Sequence, residues 1–348
     1  MSDLNNIDLD KWYDDIELDH SVFISSRVRL ARNIKEYPFS VMLKLKPEQI
    51  KNIINMVLDA LKKNNNNDFR FIDMNDVSDI ERLSNFEQHN ISQYFLLDKN
   101  PRGFLINKNE NLSIMLNEED HIRIQSICSC DNINRAFEIS DSIDNIISEN
   151  IDYAFDNEFG YLTSCPTNVG TGLRASFMLH LPMLERSGQL KNLVQIISKF
   201  GMTVRGLHGE GTEPMGSIYQ VSNQITLGKS EQDIIKNLRN VTQQIVDQEL
   251  KLRENILKEN KIELEDKIWR SFGILSNCKK ISTSEAMDLF SDVRLGYCLG
   301  LDVPKFKFNI YKMMINIQPG LLQKNLGHRL NNIERDIARA DFIKSMLA

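Results

Sequence analysis

The stretch GYLTSCPTNVGTGLRASFM, residues 160–178, tells more about the fold and the site of this chain than any other. It holds a cysteine before a proline, a glycine-rich turn and then an arginine. Gly170 and Gly172 supply a flexible turn, and we interpret the segment that follows as a helix. A helix that opened at Arg174 would direct free backbone N–H groups at a bound anion. By itself the stretch predicts an anion-binding loop.

Four other segments carry polar groups suited to the same task. They read SSRVR at 25–29, NEEDHIR at 117–123, RGLHGEG at 205–211 and RDIARA at 335–340. Together the five segments offer several arginines for a polyphosphate and a pair of carboxylates for a proton.

The composition excludes several classes of protein. The 348 residues carry a net charge of −6, so no overall positive field favours nucleic acid. The five cysteines are an odd number without metal-ligand spacing, which indicates a reducing cytoplasm. The N-terminus is acidic and polar and does not resemble a signal peptide. The chain lacks a run of about 18 apolar residues, so we expect no membrane-spanning helix.

The periodicity of the first 230 residues predicts an α+β fold in which an antiparallel sheet is flanked by helices. Residues 1–20 are polar, and we expect them to be loosely ordered. The predicted strands span residues 22–30, 69–73, 103–107, 112–116, 122–127, 161–164, 202–207 and 218–227. The predicted helices span residues 47–62, 132–153, 174–184 and 189–200.

From Ser230 onwards the sequence becomes helical. Ser230 and Asp233 resemble a helix start, and an apolar stripe at spacings of four and three follows. We therefore predict an N-terminal segment at 1–21, a catalytic domain at 22–254 and a smaller all-helical C-terminal domain at 255–348. The exposed apolar stripe of the C-terminal helices favours a homodimer.

Five arginines form the predicted phosphate site: Arg27, Arg29, Arg123, Arg174 and Arg205. A guanidinium can grip phosphate oxygens in a bidentate manner, and five converging guanidinium groups need an anion between them. A P-loop does not supply that anion site. The segment 227–230 ends like one, but position 223 holds Asn where the loop requires Gly.

The predicted proton acceptors are carboxylates that lie close to arginines in the sequence. If residues 117–123 form an extended strand, Glu119, His121 and Arg123 share one face, and Glu118 and Asp120 share the other. Glu210 follows Arg205 by five residues and offers a second carboxylate. Cys165 would have a favoured thiolate if guanidinium groups lay close to it.

The motifs SSRVRLARN, NEEDHIRIQ, TSCPTNVGTGLRAS and RGLHGEGTE, in this order, resemble the ATP:guanido phosphotransferases, to which creatine and arginine kinases belong. The resemblance covers residues 22–250. Within the family the chain is most similar to the bacterial protein arginine kinases of the McsB type. It lacks the separate N-terminal helical domain of phosphagen kinases, it has a C-terminal helical extension, and it carries RDIARA at 335–340.

The resemblance implies a role for each matching residue. Glu119 and Glu210 would clamp the substrate guanidinium, with Cys165 beside them. Mg²⁺ would be held mainly by the phosphates and water, so no protein ligand is assigned to a metal. The residues implied to contact ATP are Ser25, Ser26, Arg27, Val28, Arg29, His89, Arg123, Arg174, Ala175, Ser176, Phe177, Met178, Arg205, Gly206, Leu207, His208, Gly209 and Glu210.

The resemblance also implies an allosteric phosphoarginine site near the C-terminus. Without it, two arginines at i and i+4 with an aspartate between them would describe an ordinary solvated helix face. The implied partners are protein substrates bearing arginine, a zinc-binding activator protein, a heat-shock repressor and an AAA+ protease. The implied site comprises Arg335, Asp336, Ile337, Ala338, Arg339 and Ala340.

The resemblance implies a kinase that transfers the terminal phosphoryl group of ATP to arginine side chains of proteins and so marks them for degradation during stress. Two alternatives stay open. A small-molecule phosphagen kinase would phosphorylate free arginine rather than a protein. A non-catalytic adaptor would bind phosphoarginine without turning over ATP. A nucleic-acid binder is disfavoured, because basic stripes interleaved with stacking aromatics are absent from the sequence.

Overall fold

The computed structural model describes residues 11–38, 45–64, 68–97, 102–206 and 214–347. An eight-stranded antiparallel sheet forms its centre, with the strand order β2-β3-β4-β5-β1-β8-β10-β9. A separate two-stranded hairpin pairs β6 with β7. The strands are β1 (Phe23–Arg32), β2 (Phe69–Asp73), β3 (Gly103–Asn107), β4 (Leu112–Leu116), β5 (Ile122–Ser129), β6 (Phe155–Asp156), β7 (Gly160–Tyr161), β8 (Leu173–His180), β9 (Met202–Arg205) and β10 (Ile218–Asn223).

The described helices lie between the strands in the sequence, and from residue 231 onwards the chain is mostly helical. Three short 3-10 helices accompany them at Trp12–Asp14, Ile16–Asp19 and Pro166–Asn168. The α-helices are α1 (Pro47–Lys63), α2 (Asp79–Glu87), α3 (Gln93–Leu97), α4 (Ile133–Ser148), α5 (Pro182–Arg186), α6 (Leu190–Ser198), α7 (Glu231–Glu259), α8 (Lys261–Asn277), α9 (Thr283–Cys298), α10 (Ile310–Asn316), α11 (Pro319–Leu326) and α12 (Asn332–Ser345). The predicted α+β class with a helical C-terminal region is confirmed.

The two faces of the central sheet differ in chemistry because side chains alternate along a strand. On β1, Val28 and Leu30 are buried in the main hydrophobic core, where α4 and α7 pack. Arg27 and Arg29 alternate with these two residues along the strand and therefore point to the opposite face. The same alternation on β5 sends Ile122 and Ile124 to the core. The centre of the sheet thus has an apolar face covered by helices and a polar face.

The predicted helix at residues 174–184 is wrong, because β8 occupies Leu173–His180. Ala175 and Phe177 point into the core and alternate with polar positions, which is the period of a strand. Arg174 therefore does not open a helix, and its segment provides no helix N-terminus for an anion. A short helix, α5, begins only at Pro182.

A second hydrophobic core joins the C-terminal helices to the start of the chain. The prediction that residues 1–20 are loosely ordered is wrong for residues 11–20, which are the ones described. Trp12, Tyr13 and Leu18 are buried in this core with residues of α9, α10 and α12. Ile24 of β1 and Met178 of β8 also belong to it, so the core borders the sheet directly.

Helix α7 continues to Glu259, with Ser230 accepting a hydrogen bond from the amide of Asp233 at its start. The predicted domain boundary at residues 254/255 falls inside this helix, and the division into domains stays a prediction. Among the described helices, none is long and apolar enough to cross a membrane.

Candidate active site

A cleft of about 870 Å³ opens on the polar face of the sheet. Its floor is formed by β1, β5 and β8, and its walls come from the segment after α2 and from the loop before β8. The residues that line it are Arg27, Arg29, Ala31, Phe86, His89, Ile91, Ser92, Gln93, Tyr94, Glu118, Glu119, Arg123, Gln125, Ser164, Cys165, Thr167, Asn168, Gly172, Arg174, Arg205, Gln220 and Gln224.

All five arginines predicted to bind phosphate line this one cleft. The sheet register explains their convergence. Arg29 on β1 pairs directly with Arg174 on β8, and Ala31 pairs with Arg123 on β5. Arg205 ends β9, two strands away from β8. Segments far apart in sequence therefore meet because neighbouring strands place equivalent faces side by side.

The arginines of β1 lie in an environment that disfavours their own charge. Burial lowers the pKa of Arg27 to about 10, and the charges of Arg174 and Arg123 add to this effect. Burial, followed by repulsion from Arg27, Arg123 and Arg174, lowers the pKa of Arg29 well below its ordinary value. A polyanion bound in the cleft would relieve both the desolvation and the repulsion.

Arg123 holds two carboxylates at the edge of the cleft. Its guanidinium donates to Glu118 Oε1 at 2.6 Å and to Glu119 Oε2 at 3.1 Å. Burial lowers the pKa of Arg123, but the charges of Glu118, Asp120 and Glu119 outweigh burial and raise it. The Glu118 side chain is buried, whereas that of Glu119 is 43% exposed. Glu119 is thus the carboxylate that an incoming substrate can reach.

The predicted alternation across residues 117–123 is wrong, because this segment is a turn until β5 begins at Ile122. Asn117 has a φ of 60°, and the backbone folds back so that the Glu118 amide donates to Asp120 O. Glu118 therefore shares Arg123 with Glu119 instead of pointing away. The asparagine before the acidic residues was a turn signal that could have revealed this.

His121 lies in the protein interior rather than beside Glu119. Its Nδ1 accepts from the Ile34 amide at 3.0 Å, so Nε2 donates to Pro38 O at 3.1 Å. Burial lowers the pKa of His121 to about 4, which keeps the ring neutral. His121 fixes the backbone next to β1 and does not face the cleft.

Cys165 lies on the cleft wall in a loop that is tied to the acidic turn. Asp120 accepts from the Ser164 amide at 2.7 Å and from Asn33 Nδ2 at 2.8 Å. The Cys165 Sγ lies 3.0 Å from Thr167 Oγ1, and the thiol also hydrogen bonds to the Glu119 carboxylate. Burial raises the pKa of Glu119, an effect that Arg123 opposes and Asp120 and Glu118 reinforce. The thiol and a carboxylate with raised proton affinity therefore stand together.

His89 follows α2, a helix that the periodicity did not reveal although Ser78 and Glu81 form a capping box at its start. His89 has a φ of 64°, and its carbonyl accepts from Gln125 Nε2 at 2.7 Å. A recess of about 10 Å³ adjoins the cleft here. It is lined by Trp12, Ser25, Arg27, His89, Ile127, Ser176, Met178 and Gln220.

The structure does not bring every residue implied to contact ATP to the cleft. Val28, Ala175 and Phe177 lie on the core face of the sheet. Ser26 Oγ donates to Cys130 O and accepts from the Asn132 amide at 2.9 Å, so it holds a loop on the far side. The reason is strand alternation, which leaves every second residue on the cleft face.

The segment that follows β9 in the sequence carries further predicted contacts. Gly206 is buried next to Arg205. Leu207, His208, Gly209 and Glu210 lie outside the described residues, and the pairing of Glu210 with Glu119 stays a prediction.

The RDIARA segment lies on α12, away from the residues that line the cleft. The Arg339 guanidinium is buried and donates to Ile317 O at 2.9 Å, to Ile281 O at 2.7 Å and to Asp336 Oδ1 at 2.6 Å. Arg335 is half-buried and donates to Asn332. Ile337 is exposed, Ala338 is half-buried and Ala340 is buried. Arg339 thus already anchors α12 to the segment before α9 and to the residue that follows α10.

Within the described ranges, no group of three His, Cys, Asp or Glu residues is placed to hold a metal ion. The carboxylates nearest the arginines, Glu118 and Glu119, are both engaged by Arg123.

Two parts of the chain match known families. Residues 49–252 match "ATP:guanido phosphotransferase, C-terminal catalytic domain", and residues 261–348 match "Protein-arginine kinase McsB C-terminal domain". The protein-arginine kinase of Clostridium kluyveri is 43% identical over 331 residues, which cover 94% of this chain and 95% of the relative. That of Caldanaerobacter subterraneus subsp. tengcongensis is 44% identical over 95% of this chain and 98% of the relative.

Solved structures show the same fold. The duplicated taurocyamine kinase from Schistosoma mansoni with bound transition state analog components gives a TM-score of 0.60 at 26% identity. The match covers 82% of this chain, and the chain spans 40% of that duplicated kinase. Lombricine kinase gives a TM-score of 0.59 at 23% identity, with 73% of this chain and 71% of that chain covered.

Proposed function

Because the chain belongs to the ATP:guanido phosphotransferase family, we propose that it is a protein arginine kinase that transfers the terminal phosphoryl group of ATP to arginine side chains. The observation that carries the proposal is the cleft itself. It brings five arginines together with Glu119 and Cys165 in one space, and Arg123 binds Glu119 directly.

The acceptor nitrogen must be oriented and deprotonated by the enzyme, because an arginine guanidinium is a poor nucleophile. It stays protonated to a pKa above about 12, and its lone pairs are delocalised. The Glu119 carboxylate would orient the guanidinium by hydrogen bonds and take a proton as the N–P bond forms. Glu210 is the second carboxylate that the family pattern supplies. The raised pKa of Glu119 suits a proton acceptor.

The donor side must stabilise negative charge on the transferring phosphoryl group. As the bond from phosphorus to the ADP oxygen breaks, charge spreads over the phosphoryl oxygens and the leaving group. Arg27, Arg29, Arg123, Arg174 and Arg205 are fixed around this space before substrate binds, so little reorganisation is needed during the reaction. Mg²⁺ would neutralise charge between the phosphates and be coordinated mainly by them and by water.

The remaining parts of the proposal rest on the family resemblance. Arg335–Ala340 would bind phosphoarginine and couple autophosphorylation to activity, although Arg339 would first have to exchange some of its present acceptors. The partners would be a zinc-binding activator, a heat-shock repressor and an AAA+ protease. A homodimer in the cytoplasm and a role in stress response complete the proposal.

The deciding experiment incubates the protein with Mg-ATP and an unfolded protein substrate. The products are analysed by mass spectrometry at neutral pH, because acid hydrolyses N–P bonds. We expect phosphorylation on arginine side chains of the protein.

Free arginine at equal concentration provides the comparison. If only free arginine is phosphorylated, the chain is a small-molecule phosphagen kinase. If ATP is not consumed with either acceptor, the proposed enzymatic function is refuted.

A further inference from the structure

A residue of the C-terminal helices contacts the recess that adjoins the cleft. Tyr311 lies on α10 and is fully buried. Its hydroxyl is 3.2 Å from His89 Nε2 and 3.2 Å from Met178 Sδ. Both of these residues line the recess that adjoins the cleft. Tyr311, which is 222 positions from His89 and 133 positions from Met178, thus contacts two residues predicted to bind ATP.

His89 depends on such support because its backbone conformation is energetically unfavourable. A φ of 64° is uncommon for a residue with a side chain, and neighbouring groups must hold it. Gln125 fixes the His89 carbonyl from the sheet. Tyr311 fixes the imidazole ring from the helical region. The Trp12 ring packs against both rings, with its centroid 6.3 Å from that of His89 and 5.6 Å from that of Tyr311.

We propose that Tyr311 is a positioning residue of the nucleotide site, which holds His89 and Met178 in the geometry in which they contact ATP. The inference rests on the proposed function, since it takes ATP as the ligand of the cleft. It adds that the helical region beyond residue 261 completes the nucleotide site.

The direction of the two hydrogen bonds follows from the number of protons that the tyrosine hydroxyl can donate. The Tyr311 hydroxyl has one proton, and directing it at the Met178 sulfur leaves its oxygen to accept from His89 Nε2–H. This arrangement fixes the imidazole tautomer. Burial raises the pKa of Tyr311, although Arg27 opposes the effect, so the hydroxyl stays protonated at neutral pH.

The test compares two tyrosine-to-phenylalanine variants of the full-length protein. Tyr311→Phe removes the hydroxyl and keeps the ring in the core. Tyr297→Phe is the matched control, because Tyr297 is also buried among the C-terminal helices and donates its hydroxyl to Pro304 O at 2.7 Å, away from the cleft. The readouts are the Kd of ATP by calorimetry, the KM for ATP, kcat and Tm.

We expect Tyr311→Phe to weaken ATP binding about tenfold, the scale of one lost hydrogen bond, with kcat within about twofold of the parent. Tyr297→Phe should leave the Kd of ATP unchanged. If Tyr311→Phe binds ATP as tightly as the parent, or if both variants lose affinity equally, the inference is overturned.

A double-variant cycle separates positioning from general stability. In a His89→Ala background, Tyr311→Phe should weaken ATP binding less than it does in the parent, because one of the two partners of Tyr311 is already absent. Fully additive losses would refute the inference. The Kd of ATP needs no arginine phosphorylation, so a parent that binds ATP but phosphorylates no arginine refutes the proposed function and leaves this test intact. A parent that binds no ATP refutes both.

Discussion

Arg123 binds two neighbouring carboxylates of unequal burial, and this difference separates their expected roles. Replacing Glu119 by Gln removes the exposed proton acceptor. Turnover should fall at least about 10²-fold while the Kd of ATP changes only a few-fold. Replacing Glu118 by Gln removes the buried negative charge that balances Arg123 and should mainly raise the KM for ATP. Steady-state kinetics with ATP calorimetry distinguish the two, and an unchanged kcat in Glu119→Gln would exclude Glu119 as the base.

The pH dependence of turnover follows from the same residue. The pKa of Glu119 is raised mainly by burial. Protonation then removes the acceptor at a higher pH than for an ordinary carboxyl, so kcat should fall as the pH falls through that raised pKa. In Glu119→Gln this acidic limb should be absent from the much lower residual rate. A limb that persists unchanged would assign it to another group.

Two arginines on β1 lie three positions apart but have different surroundings, so we expect them to have opposite effects on stability. Arg29 faces other guanidinium groups, and within the described chain its Nε has no acceptor. Arg29→Met should therefore raise the Tm of the ligand-free protein by a few degrees and weaken binding of ATP or tripolyphosphate at least about tenfold. Arg32 donates to Asp144 at 2.7 Å in the core, so the control Arg32→Met should destabilise the protein by about 3–5 kcal/mol.

These stability predictions are checked by calorimetric unfolding with and without tripolyphosphate. The anion should raise the Tm of the parent more than that of Arg29→Met. If Arg29→Met lowers the Tm of the ligand-free protein as much as Arg32→Met does, repulsion between the cleft arginines does not destabilise the folded state.

At the scale of elements, the contact of α2 with α11 carries a titrating group. Glu87 ends α2 and accepts from the Gly320 and Leu321 amides at 2.7 Å each, at the N-terminus of α11. Burial raises its pKa to about 7, although the two amides and the charges of Arg339 and Arg335 oppose the shift. Between the ordinary pKa and this value the folded state binds more protons than the unfolded state. The free energy of unfolding must therefore fall as the pH rises across that window.

Glu87→Gln should flatten this dependence while its amide oxygen still accepts a hydrogen bond. Relative to the parent, the change in unfolding free energy from pH 4.5 to pH 7 should differ by on the order of 3 kcal/mol. Denaturant unfolding across that range measures it. Glu81 on the same helix is the control. Its pKa is lowered by hydrogen bonds from Ser78, so its stabilising contribution is lost as the pH falls. Equal pH profiles for the parent and Glu87→Gln would contradict the prediction.

At the scale of the whole molecule, the second hydrophobic core joins both ends of the described chain to the sheet. Trp12 and Tyr13 pack with residues of α9, α10 and α12, while Ile24, Ile127 and Met178 enter the same core from β1, β5 and β8. The helical region therefore cannot separate from the sheet without exposing apolar surface on both. Despite its size, the protein should unfold in one cooperative transition.

Calorimetry and tryptophan fluorescence test this cooperativity. The calorimetric and van't Hoff enthalpies should agree, and the transition monitored by Trp12 in a Trp269→Phe variant should coincide with that monitored by circular dichroism. Trp269 is 48% exposed on α8, so its replacement should perturb the fold little. Two separate transitions would show that the helical region is an independent unit.

The sequence by itself determined the α+β class, most strands of the sheet and the arginines and acidic residues of the cleft, because short motifs and local periodicity carry that information. It failed for residues 174–184 and 117–121, since helix, strand and turn patterns overlap in short segments and pairing with neighbouring strands decides between them. Only the tertiary structure shows that Arg29 pairs with Arg174, that His121 lies in the interior and that Tyr311 contacts His89. These contacts join residues far apart in the chain, and sheet register and helix packing set them.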